Sequence, residues 1–145
     1  MPIEMKTRVN LTQEEEMVFK CGLGSLKVEN LYIDEKNEKN SEKLGPSPAK
    51  LLGLSVLGCL AASFSFCLQK KNFSLTGLNG NAEVTIARNN KGFWRVNKID
   101  IEIFPLIDSP EMRKRADQCS KFFEQYCIIA ESLRAGFEVN VKLAY

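Results

Sequence analysis

The chain has 145 residues, 26% of them charged, and a formal net charge of +2. It contains no histidine, which excludes Ser-His-Asp and Cys-His nucleophile systems and removes the commonest transition-metal ligand. Charges of both signs are scattered, and the one dense basic spot, Arg113-Lys114-Arg115, is too small for a nucleic-acid footprint.

Five cysteines are present: Cys21, Cys59, Cys67, Cys119 and Cys127. None forms a close C-x2-C pair of the kind that a Cys-only metal site needs, so no metal is expected. An odd count, apolar surroundings and the absence of a secretory signal predict a reduced, cytoplasmic setting. Cys21, Cys67 and Cys119 are expected as small, inert packing residues. The length predicts one domain, residues 1–145, with a real core.

Residues 1–33 read as N-terminal strands. Residues 3–9 alternate, residues 17–19 follow, and Leu26, Val28 and residues 31–33 give a third run, with glycines between them. Glu14-Glu15-Glu16 reads as an exposed turn or strand edge. Residues 34–45 form a polar loop rich in Lys, Glu and Asn.

Residues 46–71 predict the central helix, with Ser47 as N-cap and Pro48 at the first helical position. Leu52, Val56, Leu60, Phe64 and Leu68 form one ridge. Ser55, Cys59, Ala62 and Ser63 form a narrower stripe of small residues. A helix apolar nearly all round predicts burial. The uncharged run 51–68 also has the length of a membrane span. The amphipathic strands on both sides need each other and a cover, so a buried helix is the prediction and no membrane is expected.

Residues 75–106 read as a hairpin around Asn89-Asn90-Lys91-Gly92, with Val84 and Ile86 alternating with Glu83 and Thr85, then Ile99, Ile101 and Ile103 on one face. Ser109-Pro110-Glu111 opens a second helical region, residues 109–134. Met112, Ala116, Cys119, Phe122, Phe123 and Tyr126 form its buried stripe, with Cys127 inward beyond them. Phe137, Val139, Val141 and Leu143 alternate in a last strand, residues 136–145.

Two stretches around the inward cysteines resemble the OsmC/Ohr family of organic hydroperoxide reductases. Gly45-Pro46-Ser47-Pro48-Ala49-Lys50-Leu51-Leu52, running to Leu57-Gly58-Cys59, is similar to the family's G-x-x-P-x-x-L-L…C helix. Cys127-Ile128-Ile129-Ala130-Glu131-Ser132-Leu133 is similar to its C-P-V-x-x-S-L segment. Order and cysteine spacing match over almost the whole chain, and the chain looks closest to the divergent OsmC-like branch.

The resemblance implies an α+β fold: antiparallel sheets around a long cysteine-bearing helix, in an intertwined homodimer able to exchange N-terminal strands. It implies a thiol-dependent peroxidase of the oxidative stress response that reduces organic hydroperoxides through a Cys59/Cys127 redox pair. An external dithiol restores the pair, and no cofactor is implied. The alternative is a non-catalytic dimeric stress-associated protein that binds an apolar ligand at the cysteine pocket. Ala49 replaces a family glutamate, and Ile128 replaces a proline. The family's thiolate-holding arginine has no matched residue. Arg8, the sole N-terminal arginine, is the first candidate for that role, ahead of Lys20, Lys27 and Arg134.

Overall fold

The computed structural model describes residues 4–36 and 43–145. Its first unit, Met1–Leu51, carries a three-stranded antiparallel sheet of β1 (Asn10–Glu15), β2 (Val18–Gly22) and β3 (Tyr32–Asp34), in that order. The alternating run expected as the first strand lies one strand too early. The tight turn at Glu16-Met17, with Met17 at φ 60°, fixes the register. That register pairs Asn10 with Gly22 and Thr12 with Lys20. Glu14 and Glu15 therefore lie at the exposed end of edge strand β1 and Glu16 in the turn, within the expected turn or strand edge. Leu26 does not start a strand either, because it bridges back to Leu23. Ile3 and the middle of the polar loop lie outside the described residues.

Asp34 ends β3 as a buried carboxylate. Its oxygens accept the backbone N–H groups of Lys36 (3.0 Å) and Leu44 (2.9 Å), with Lys43 Nζ at 3.8 Å. The Leu44 and then the Lys36 hydrogen bonds hold its pKa below the ordinary carboxylate value. Gly45 follows directly. A Cβ there would lie 1.7 Å from the Tyr32 carbonyl oxygen, so the motif glycine is sterically required.

The second unit, Leu52–Tyr145, contains most of α1 (Pro48–Gln69). As expected, Ser47 caps this helix, its hydroxyl accepting the Lys50 N–H at 3.3 Å. Val56, Leu60, Phe64 and Leu68 are buried along the ridge. The opposite side is open in the single chain, where Leu54 is 63% and Phe66 64% exposed. The helix has the length and composition of a membrane span, yet its ridge is packed against protein.

β4 (Leu78–Arg88) and β5 (Trp94–Pro105) form an antiparallel hairpin that pairs Val84 with Ile99, Ala82 with Ile101 and Gly80 with Ile103. A bulge between Thr85 and Ile86 turns Ile86 outward, against the simple alternation. Helix and sheet meet closely. A Cβ on Gly53 would lie 2.8 Å from the Val84 side chain, and one on Gly80 2.8 Å from Leu57.

Ser109 and Pro110 open α2 (Pro110–Cys119), with the Ser109 hydroxyl accepting the Met112 N–H at 3.1 Å. Met112, Ala116 and Cys119 are buried as the stripe predicted. The helix then stops. A 3-10 turn, Phe123–Tyr126, leads into α3 (Ile128–Ala135), which leaves Tyr126 exposed.

Two further expectations fail. Cys67 and Cys119 are not inert packing: they form a disulfide, with Cα atoms 5.9 Å apart. The physical reason is that the last turn of α1 and the last residue of α2 pack in one core cluster at bonding distance. In addition, residues 136–145 form no strand. Phe137, Val139, Val141 and Leu143 alternate as predicted but stand exposed, because a strand needs a neighbouring edge and no described segment of the chain supplies one.

Candidate active site: a cysteine pair beside an apolar pocket

Cys59 sits mid-way along α1, half-buried and free. Cys127 is the N-cap of α3, free and fully buried. Its sulfur accepts the Ala130 N–H at 3.4 Å, which closes the first turn of the helix. The sequence favours this arrangement. The 3-10 turn delivers Cys127 in an extended conformation (φ −81°, ψ 107°), as an N-cap requires.

Both cysteines belong to one apolar cluster with Val56, Leu60, Ile101 and Phe123. Burial first, and then the interaction with the Cys59 thiol, push the Cys127 thiol above its ordinary pKa; the Ala130 N–H opposes this less strongly. Burial thus disfavours the Cys127 thiolate, and the two thiols interact. In chemical terms the pair is a half-exposed thiol backed by a buried one.

A pocket of about 460 Å³ opens against the same cluster, lined by Val56, Leu60, Ile99, Ile101 and Ala130, and by Lys98 and Arg134. This volume falls in the range of small-molecule sites. Its two cations are already paired. Lys98 lies 3.4 Å from Asp100. Arg134 is held by Glu124, at 2.5 Å, and by Glu131, and these two carboxylates, Glu124 foremost, raise its already high pKa.

Arg8 is exposed in the first unit, in the segment before β1. Lys20 lies in β2 of the same unit. Sequence reasoning missed the carboxylate clasp on Arg134 and the Cys67–Cys119 bond. One signal could have found the bond: Cys59 and Cys67, and likewise Cys119 and Cys127, are eight residues apart.

Residues 39–142 match the family model described as OsmC-like protein. Solved structures share the fold. An OsmC-like protein of unknown function from Vibrio cholerae O1 biovar eltor superposes with a TM-score of 0.70 at 12% identity, over 89% of this chain and 94% of that one. An OsmC-like protein from Mycoplasma pneumoniae gives 0.64 at 16% identity, over 91% and 89%. One from Legionella pneumophila, described as an organic hydroperoxide resistance protein OsmC and predicted redox protein, gives 0.57 at 12%, over 92% of each chain. No curated protein sequence matches the chain. The family match covers well over half of the residues, and the α+β architecture with two antiparallel sheets agrees with it: the chain belongs to the OsmC-like protein family.

Proposed function

We propose that the protein is a thiol-dependent peroxidase that reduces organic hydroperoxides to alcohols through Cys59 and Cys127. The observation that carries this reading is the pairing of two free thiols, one half-exposed and one buried, in a single apolar cluster. A Cys59 thiolate attacks the terminal peroxide oxygen, the O–O bond breaks, and the alkoxide leaves and takes up a proton as the alcohol. Cys59 is then a sulfenic acid. The Cys127 sulfur displaces its oxygen as water, and a Cys59–Cys127 disulfide remains. An external dithiol supplies two electrons and two protons to restore both thiols.

The neighbouring pocket supports an apolar substrate, since aliphatic side chains dominate its wall. Its cations are occupied by carboxylates, so the cation for the Cys59 thiolate comes from elsewhere, and Arg8 is the residue proposed for it. The reading includes a homodimer. Exposed Leu54 and Phe66 on α1, and the unpaired alternating segment 137–145, want a second copy. It also includes a cytoplasmic setting, in which an external dithiol is at hand; the Cys67–Cys119 disulfide departs from the unbonded cysteines expected there, and only Cys21, Cys59 and Cys127 are free.

The paired state of Lys98 and Arg134 favours the second reading, a dimeric binding protein that holds an apolar ligand without turnover. Hydroperoxide-dependent consumption of dithiothreitol separates the two. The peroxidase turns over with a small organic hydroperoxide, and Cys59→Ser loses at least 100-fold. A binding protein consumes no dithiol above the uncatalysed rate.

A further inference from the structure

The two cysteine pairs lie on the same two segments in opposite order. Along α1, Cys59 precedes Cys67 by eight residues. From the end of α2 to the start of α3, Cys119 precedes Cys127 by eight. Cys59 faces Cys127, and Cys67 is bonded to Cys119. Between these rungs, Phe64 and Phe123 pack edge-to-face with ring centroids 5.3 Å apart. Phe123 touches the core clusters of both pairs.

The bonded rung is gripped twice. Arg115, one helical turn before Cys119, donates from Nε (3.2 Å) and Nη2 (2.9 Å) to the Cys67 carbonyl oxygen, capping the end of α1. Cys67 and Cys119 are 5% and 0% exposed. A reductant's thiolate must reach one of the sulfurs in line to open the bond, and neither is open to solvent.

We propose that Cys67–Cys119 is a standing clamp rather than a second cycling pair, and that it positions Cys127 against Cys59. The inference rests on the peroxidase reading only in taking Cys59–Cys127 as the pair that cycles. The segment from Cys119 to Cys127 contains a 3-10 turn and no long helix; Phe122 and Phe123 hold it to the core by side-chain packing, and the Cys67–Cys119 bond is its covalent tie to α1. A slip of one residue there would carry Cys127 away from Cys59. The closed rung forbids the slip.

Two measurements test this without any hydroperoxide. First, diamide oxidises the folded protein, the Cys59 and Cys127 thiols giving up two electrons and two protons to its azo bond. Dithiothreitol is then added, and alkylation with intact-mass analysis counts the free thiols. The clamp predicts that Cys59–Cys127 opens at least 100-fold faster than Cys67–Cys119, so that three cysteines are labelled until the chain is unfolded. Equal opening rates overturn it.

Second, the Cys67→Val/Cys119→Ala variant is equilibrated with glutathione, two of which reduce Cys59–Cys127 and leave as glutathione disulfide. The equilibrium constant for forming the Cys59–Cys127 bond falls at least tenfold, about 30 mV, while Cys59 alkylation stays within twofold of wild type. An unchanged equilibrium overturns the positioning role. Should the variant not fold, the order of reduction in the wild type decides. A protein inactive toward hydroperoxides would sink the peroxidase reading and leave both of these results free to support or refute the clamp.

Discussion

Cys127 caps α3 with its own sulfur while facing Cys59, and the two roles pull its proton in opposite directions. The Ala130 N–H favours the thiolate. Burial and the neighbouring Cys59 thiol favour the thiol, and they prevail. The buried partner is held towards its neutral form, and the half-exposed Cys59 is the thiol proposed to meet substrate.

That balance makes stability depend on pH. The folded-state pKa of Cys127 is raised, so the folded chain holds this proton more tightly than the unfolded chain does. Below the unfolded thiol value of about 8.5, both states are protonated and the contribution is whole. Above it the unfolded chain ionises first, and stability falls as pH rises towards the folded value. Urea unfolding between pH 7.5 and 10 should show a steeper loss for wild type than for Cys127→Ala. Parallel curves would contradict the assignment.

Gly45→Ala should be among the most damaging single substitutions. Its Cβ would sit 1.7 Å from the Tyr32 carbonyl oxygen, and backbone at that distance must move. The movement would disturb the Leu44 hydrogen bond to buried Asp34 one residue away. A loss of about 3 kcal/mol or more is expected in equilibrium unfolding. A change under about 0.5 kcal/mol, the range of an ordinary surface substitution, would refute the steric argument.

Arg8 and Arg134 can be separated by the rate of Cys59 alkylation at neutral pH. Arg134 has both carboxylate partners in place and little charge to spare. Arg134→Ala should leave the rate within twofold. Arg8→Ala should slow it several-fold, a tenfold effect being worth about 1.4 kcal/mol. The reverse ranking would move the thiolate-holding role to α3.

The exposed alternation of Phe137, Val139, Val141 and Leu143 predicts assembly. Sedimentation at micromolar concentration should give twice the chain mass of 16.4 kDa. Val141→Glu should shift it towards monomer and expose the open side of α1. A wild-type monomer under these conditions would end the homodimer reading.

Much of this arrangement is legible in the chain because several signals agree. Ser47-Pro48 and Ser109-Pro110 announce their helices through capping chemistry. Asn89 to Gly92 turns the hairpin, and Ile99, Ile101 and Ile103 declare its inner face. The illegible parts depend on contacts between distant residues. Nothing local distinguishes residues 4–9 from β1, since both are exposed and only pairing with β2 selects one. The bulge at Thr85 and Ile86 breaks an alternation that sequence can only assume. Cys67 and Cys119 read as core because they are core; their bond appears only when two helix ends meet.

The central claim is that Cys59 is oxidised by an organic hydroperoxide and that Cys127 resolves it. Trapping in a single turnover tests this most directly. Reduced Cys127→Ser is mixed with one equivalent of a small organic hydroperoxide in the presence of dimedone, and the product is mapped by mass spectrometry. The account predicts one dimedone adduct, on Cys59, and in wild type a Cys59–Cys127 disulfide in its place. A hydroperoxide left unconsumed, with Cys59 still a thiol, would contradict it.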